Sequence, residues 1–387
     1  MGFFIPLGYN FKGGPVLKNK WKFSIDNFAP YILLFPFLFW IVIFFGYAFV
    51  RVLYFSFTTY DLFSKPEFVG FANYINLFKE YLFARALKNS LTFAVIVTTL
   101  QTIFALILAV ILNRKIRGIK FFRAAYYMPS VTSSVVITLI FMWLFQRQGV
   151  INYLLTLFKA NYHIIGYFIL SMLIFQSFLV MKEKLRNRPV KLFEPSYILL
   201  SFMLSFAIIY FFRMTGVLTP IEVSDVDTIW LNTRAMVPDW AGPLAFPRPL
   251  GAVMLLNIWT TVPTFMLLYL AGLQDIPESL YEAAEVDGAS AIQKFFYIIV
   301  PQLRHITFLV VTMGLIGTLQ MFDQVAIIGD QAPIESTVTL AYYIYRNMFP
   351  SSANPQIGFA SAAALVLAAI TLIVVYIQKR FTGEVRN

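Results

Sequence analysis

Eight uncharged apolar runs divide the chain, at 31–50, 90–112, 125–145, 164–181, 196–212, 250–273, 306–322 and 358–378. About 20 apolar residues cross a bilayer core as a helix. The pattern therefore predicts eight spans and an all-α polytopic membrane protein. The fifth and seventh runs are short, so their helices are expected to extend beyond these limits. One connection breaks the rhythm. Residues 281–301, YEAAEVDGASAIQKFFYIIVP, are acidic and alanine-rich up to Asp287-Gly288 and aromatic afterwards. Asp275, Pro277 and Glu278 read as a helix start with a carboxylate at the N-cap. That helix is expected to run about 12 residues and to end at Gly288, which can take the left-handed conformation. A second helix is expected near Ser290, carrying Phe295, Phe296, Ile298 and Ile299 toward the seventh run, with a kink at Pro301.

Composition agrees with the pattern. Only 13% of residues are charged, 42 are Phe, and the mean hydropathy is +0.73, whereas a soluble chain carries about 25% charge. With no cysteine, disulfides, thiolate chemistry and Cys-bound metals are excluded. The net charge of +11 is explained by Lys and Arg retained on the cytoplasmic side of the spans rather than by nucleic-acid binding. With the N-terminus inside, segments 1–30, 113–124, 182–195, 274–305 and 379–387 hold 19 of the 30 Lys+Arg. The basic loop 51–89 runs against this bias. Both termini are then cytoplasmic, the first run reads as an uncleaved signal-anchor, and the elbow faces the cytoplasm.

Two absences bear on function. None of the eight runs holds an Asp, Glu, Lys or Arg, and the chain has no GxxxxGK[ST]. Ion-coupled transporters usually need ionisable or coordinating groups near the midplane. If transport is active, energy enters through another polypeptide. The first elbow helix suits docking into a groove on a soluble partner and equally suits an amphipathic connector lying on the membrane. In the sixth run, NIWTTVPT at 257–264 offers Asn257, Thr260, Thr261, Thr264 and carbonyls freed by Pro263. In the seventh, Gly314, Gly317 and Thr318 lie on neighbouring faces. Pocket lining and helix packing are both open for these residues. His163 and His305 lie at span ends and read as interfacial. The external segment 218–249 is either a solvated loop or a contact for an external binding protein.

Glu282-Ala283-Ala284, then Asp287-Gly288-Ala289, then Ile298 and Pro301, resembles the EAA loop of ABC importer permeases, in the spacing E-A-A-x3-G-x9-I-x2-P. AGLQDIPESLYEAAEVDGAS, FVGFANY at 68–74 and NRKIRGIKFFRAAYYMPS at 113–130 resemble the carbohydrate, maltose-transporter-like branch. The resemblance covers roughly 31–156 and 228–380. It implies a type I importer permease core of six helices, no cofactor or metal, and no catalytic residues of its own. It also implies two copies of a cytoplasmic ATPase, a second related permease, an external solute-binding protein and a sugar-like substrate. The coupling residues would be Glu282, Ala283, Ala284, Asp287, Gly288 and Ala289, with Glu282 and Gly288 the most sensitive. The sugar-contacting positions would be Asn257, Thr260, Thr261, Thr264, Gly314, Gly317 and Thr318. Only Asn257 keeps the residue type expected there, which implies a different ligand. His305 stands where relatives often have proline, and Gly329-Asp330-Gln331-Ala332-Pro333 replaces a Gly-Gly-Pro turn.

The expected organisation is a cytoplasmic segment 1–30, a membrane domain 31–380 containing the coupling loop 274–301, and a tail 381–387. Residues 157–227 add an inserted, peripheral helical hairpin to the core. A secondary transporter or facilitator without an ATPase is the rival reading, and a membrane enzyme the more distant one, since HExxH, a Cys nucleophile and a carboxylate pair within the spans are all missing.

Overall fold

The computed structural model describes residues 25–113, 118–186 and 194–382. Two compact units divide at Tyr54. The first consists of α1 (Ile25–Trp40), a π-helical turn Ile41–Gly46 and α2 (Tyr47–Ser56), whose end begins the second unit.

In the second unit, β1 (Thr58–Thr59) and β2 (Glu67–Phe68) form a short antiparallel hairpin. It is followed by α3 (Ala72–Lys79), α4 (Tyr81–Leu112), α5 (Ile119–Val131), α6 (Ser134–Leu144), α7 (Val150–Leu185) and α8 (Pro195–Met214). A second hairpin, β3 (Met236–Val237) with β4 (Phe246–Pro247), leads into α9 (Arg248–Gln274). The remaining helices are α10 (Glu278–Val286), α11 (Ala291–Lys294), α12 (Val300–Gln302), α13 (Arg304–Leu319), α14 (Asp323–Ile328), α15 (Ile334–Thr337), α16 (Leu340–Met348) and α17 (Ile357–Thr382). Among the described residues, seven helices are long and apolar enough to cross a membrane, or eight if the bent pair α5–α6 counts as one span.

The run 125–145, expected as one span, is this bent pair. Its helices meet at 94°, with Thr132 and Ser133 extended. Pro129 supplies no N–H to the last turn of α5. Ser130 and Thr132 turn their hydroxyls back onto the carbonyls of Tyr127 and Met128 at 2.8 and 2.9 Å, so side chains compete with the helical ladder. The seventh run falls in a longer candidate span, Arg304–Gln331, in which α13 and α14 are separated by non-helical Met321 and Phe322.

Burial separates core from periphery. Over half (56%) of the apolar window of α9 is covered, against 6% for α7 and 11% for α8. The core joins α4 (Phe93, Val97, Ala105) to α9 (Val253, Met266, Tyr269) and to Leu303 and Val310. Apolar burial drives no association in lipid, so close approach through small residues decides packing. A Cβ on Gly314 would lie 2.8 Å from Thr98 Cγ2, and one on Gly272 would lie 2.7 Å from Ile306 Cδ1. The hairpin α7–α8 is held by Ser201, which donates to Gln176 at 2.9 Å. It is also tied to the segment that follows it, where Asn152 donates to the Thr228 carbonyl and accepts from Trp230 Nε1, both at 2.8 Å.

The FVGFANY stretch fastens the first hairpin. Asn73 donates to the carbonyls of Ser56 and Thr58 at 2.9 Å each, and α17 crosses that turn at Gly358. A Cβ there would sit 1.9 Å from the Thr58 carbonyl oxygen, a backbone atom with no rotamer to yield. Gly358→Ala is expected to destabilise the membrane domain by about 3 kcal/mol, the upper range for overpacking. The check is a lowered thermal midpoint of the detergent-purified protein, with Gly317→Ala, where a Cβ meets nothing within 4 Å, as the silent control.

Candidate functional site

The elbow is built by local rules. Helix α10 spans nine residues from Glu278, shorter than expected, and Pro277 rather than Asp275 occupies its N-cap, without a side-chain cap. Asp275 instead ends α9 in helical geometry (φ −82°, ψ −12°). Gly288 has φ +73°. The Ala289 N–H bonds the Ala284 carbonyl at 2.8 Å and the Gly288 N–H bonds that of Glu285 at 3.0 Å, a Schellman closure. Ser290 starts α11 with a reciprocal capping box to Gln293. A π-helical turn, Phe295–Ile299, precedes Pro301, and the chain leaves helical geometry at Leu303 (φ −84°, ψ 8°). The expected kink at Pro301 is thus spread over both sides of the proline.

Helix α10 has two faces. Tyr281 and Ile276 just before the helix pack against the core, and Ala284 is half-buried. Ser279, Glu282, Ala283 and Val286, spaced i, i+3, i+4, i+7, are exposed, Val286 at 88%. The result is a narrow stripe of two apolar residues, one hydroxyl and one carboxylate. Asp287 and Ala289 belong to the joint. Glu285 points elsewhere, accepting from Lys294 Nζ at 2.7 Å. That hydrogen bond first, and the Lys294 charge second, hold its carboxyl below the usual range. The pair's contribution is therefore present above the ordinary carboxylate pKa and is lost as pH falls through the depressed one.

In the membrane domain, a cavity of about 240 Å³ opens at the α5–α6 break. Thr260, Thr261 and Thr264 of α9 line it together with Ser130, Thr132, Ser134 and Gln324. Thr260, like Ser130 and Thr132, donates its hydroxyl to its own helix, at 3.1 Å to the Leu256 and Asn257 carbonyls. Those oxygens remain acceptors. Gln324 is 6% exposed and accepts from Asn257 Nδ2 at 3.4 Å, while Asn257 Oδ1 accepts from Gln101 Nε2 at 2.8 Å. Asn257 stands behind the cavity wall and joins α4 to Gln324. Gly314 and Thr318 lie at the α4 interface, where the Thr318 and Thr98 hydroxyls are 3.2 Å apart, and Gly317 is exposed. None of the three lines the cavity. Ser130, Thr132, Ser134 and Gln324 are not among the positions expected from sequence. The signal that could have found them is the hydroxyl cluster beside Pro129. A second, apolar groove of about 670 Å³, walled by Phe104, Phe122, Tyr126, Trp259 and Pro263, adjoins it at Pro129. Among the described residues no group of His, Asp or Glu could hold a metal ion.

Residues 101–387 match the family model described as "Binding-protein-dependent transport system inner membrane component". A probable ABC transporter permease protein of Bacillus subtilis, YurN, is 26% identical over 366 residues, covering 93% of this chain and 98% of its own. The arabinooligosaccharides transport system permease protein AraP of Halalkalibacterium halodurans is 25% identical over 369 residues, covering 94% and 91%. A crystal structure of a bacterial ABC transporter involved in the import of the acidic polysaccharide alginate shares the fold, with a TM-score of 0.62, 18% identity and coverage of 94% and 98%. A match over most of the chain, on a fold of apolar helices long enough to cross a membrane, places this protein in the family of binding-protein-dependent transport system inner membrane components, the permeases of ABC transporters.

Proposed function

We propose that this chain is the permease subunit of an ATP-driven importer that moves a sugar or similar polyhydroxy solute into the cytoplasm by alternating access. Both termini and the elbow face the cytoplasm. The complex contains two copies of an ATPase, a second related permease and an external solute-binding protein. The observation that carries the reading is the elbow, a short helix outside the spans with an exposed stripe of Glu282, Ala283 and Val286 and its other face packed on the core. ATPase closure pushes on that stripe, and the core follows through Tyr281 and Phe295. The EAA residues Ala284, Asp287, Gly288 and Ala289 shape the stripe and its joint.

The solute class rests on the cavity. Threonine and serine hydroxyls with one amide can both donate to and accept from sugar hydroxyls, and the wall has no charge. Aromatic faces lie just beyond it. Thr261 and Thr264 contact the solute directly, with Thr260 as acceptor; Asn257 acts through Gln324. Gly314 and Thr318 set the position of α13 against α4, while Gly317 lies on its exposed side. Purification in mild detergent tests the reading: the ATPase is expected to co-purify, and a lone homomer that transports would contradict it. Valine is isosteric with threonine, so Thr261→Val with Thr264→Val removes two hydroxyls and leaves the shape. Half-saturation of solute-stimulated ATP hydrolysis is expected to rise about thirtyfold, at roughly 1 kcal/mol per lost hydrogen bond. Unchanged half-saturation would remove the cavity from the pathway.

A further inference from the structure

We infer that Glu285 and Lys294 form an ionic clamp that makes the two halves of the elbow one rigid lever, with Lys294 as a positioning residue for energy transfer. The inference rests on the proposed ATPase coupling and adds residues outside the EAA stripe.

The joint between α10 and α11 is unusually well tied. The N–H groups of Asp287, Gly288 and Ala289 bond the carbonyls of Ala283, Glu285 and Ala284 at 3.0, 3.0 and 2.8 Å, and that of Ser290 bonds Gln293 Oε1 at 2.7 Å. Four successive donors are occupied, so bending here breaks hydrogen bonds. These bonds fix each helix end, and the Lys294–Glu285 bond at 2.7 Å reaches across from the body of α10 to the last residue of α11. The Lys294 side chain is 17% exposed against 70% for Glu285. The lysine stem is thus packed in place, and its head presents a fixed anchor to a carboxylate on α10. An exposed ion pair adds little to stability, yet this one sets a direction. With it, the stripe at Glu282 and Val286 keeps a constant angle to Phe295, which packs on the core. Compliance then lies further along, in the π-helical turn 295–299 and at Leu303, which touches the Gly272 turn of α9. A push on α10 therefore reaches α9 and α13 before the elbow yields.

The test uses the assembled transporter in liposomes, reading solute uptake and ATP hydrolysis together. Glu285→Ala and Lys294→Met, which keeps the apolar stem, are each expected to lower uptake per ATP by about threefold, the size of one solvent-screened pair, with the ATPase still bound. The exchange Glu285→Lys with Lys294→Glu is expected to restore the ratio, which a packing role alone would not do. Single variants that keep the wild-type ratio, or an exchange no better than the singles, overturn the clamp. Val286→Asp, run in parallel, separates the two readings: if it keeps the ATPase and full coupling, the docking assignment itself is what fails.

Discussion

Val286→Asp is expected to strip the ATPase from the purified complex while leaving the membrane domain folded. The residue is 88% exposed and supports no core contact, so a carboxylate there costs the isolated chain little. On the proposed docking surface it becomes a buried charge without a partner, beside Glu282 on the same face. Burying an unpaired charge costs about 3–5 kcal/mol, which is roughly a hundredfold or more in affinity. The ATPase band in the detergent-purified complex is the readout. Thermal melting of the membrane domain is expected to be unchanged. Glu282→Ala is expected to have a smaller effect, because a rim charge contributes mainly orientation.

Asn257→Ala is expected to abolish most solute stimulation of ATP hydrolysis and to loosen the core as well. Its amide spans two helices, accepting from Gln101 and donating toward Gln324. Gln101 is 1% exposed and its Oε1 already has no partner. Without Asn257 its Nε2 keeps only the backbone carbonyl at 3.2 Å. Interhelical polar contacts in membranes average about 0.6 kcal/mol, so a modest drop in melting temperature follows. The functional loss is larger, about tenfold, because Gln324, the one amide on the cavity wall, loses the group that orients it. Gln324→Ala is expected to reproduce the functional loss without the thermal one. If Asn257→Ala lowers the melting temperature and leaves stimulation intact, the network is packing alone.

Sequence made some of this readable and hid the rest for physical reasons. Gly288 and the Ser290–Gln293 pair follow local rules with partners a few residues away, so the joint was legible. Asp275 misled because a helix start and a helix end share the same residues there, and the proline took the cap. The break at 131–134 left the apolar run 125–145 uncharged throughout, so hydropathy passed over it; only Pro129 and the hydroxyls around it marked the place. Gly314 and Thr318 depend on which side of α13 faces α4, and Asn257 on a glutamine 156 residues away. Side-chain type could not choose between pocket and packing at such positions, because the choice is made by helix orientation.

In the proposed complex, energy enters through the exposed face of α10. This chain has no cysteine, so Val286→Cys introduces a single thiol there. The decisive measurement is cross-linking from that thiol to the co-expressed ATPase in native membranes. A permease–ATPase adduct is expected, with a yield that changes between nucleotide-free and ATP-bound states. A thiol that labels freely from the cytoplasmic side yet forms no adduct with the ATPase would contradict it.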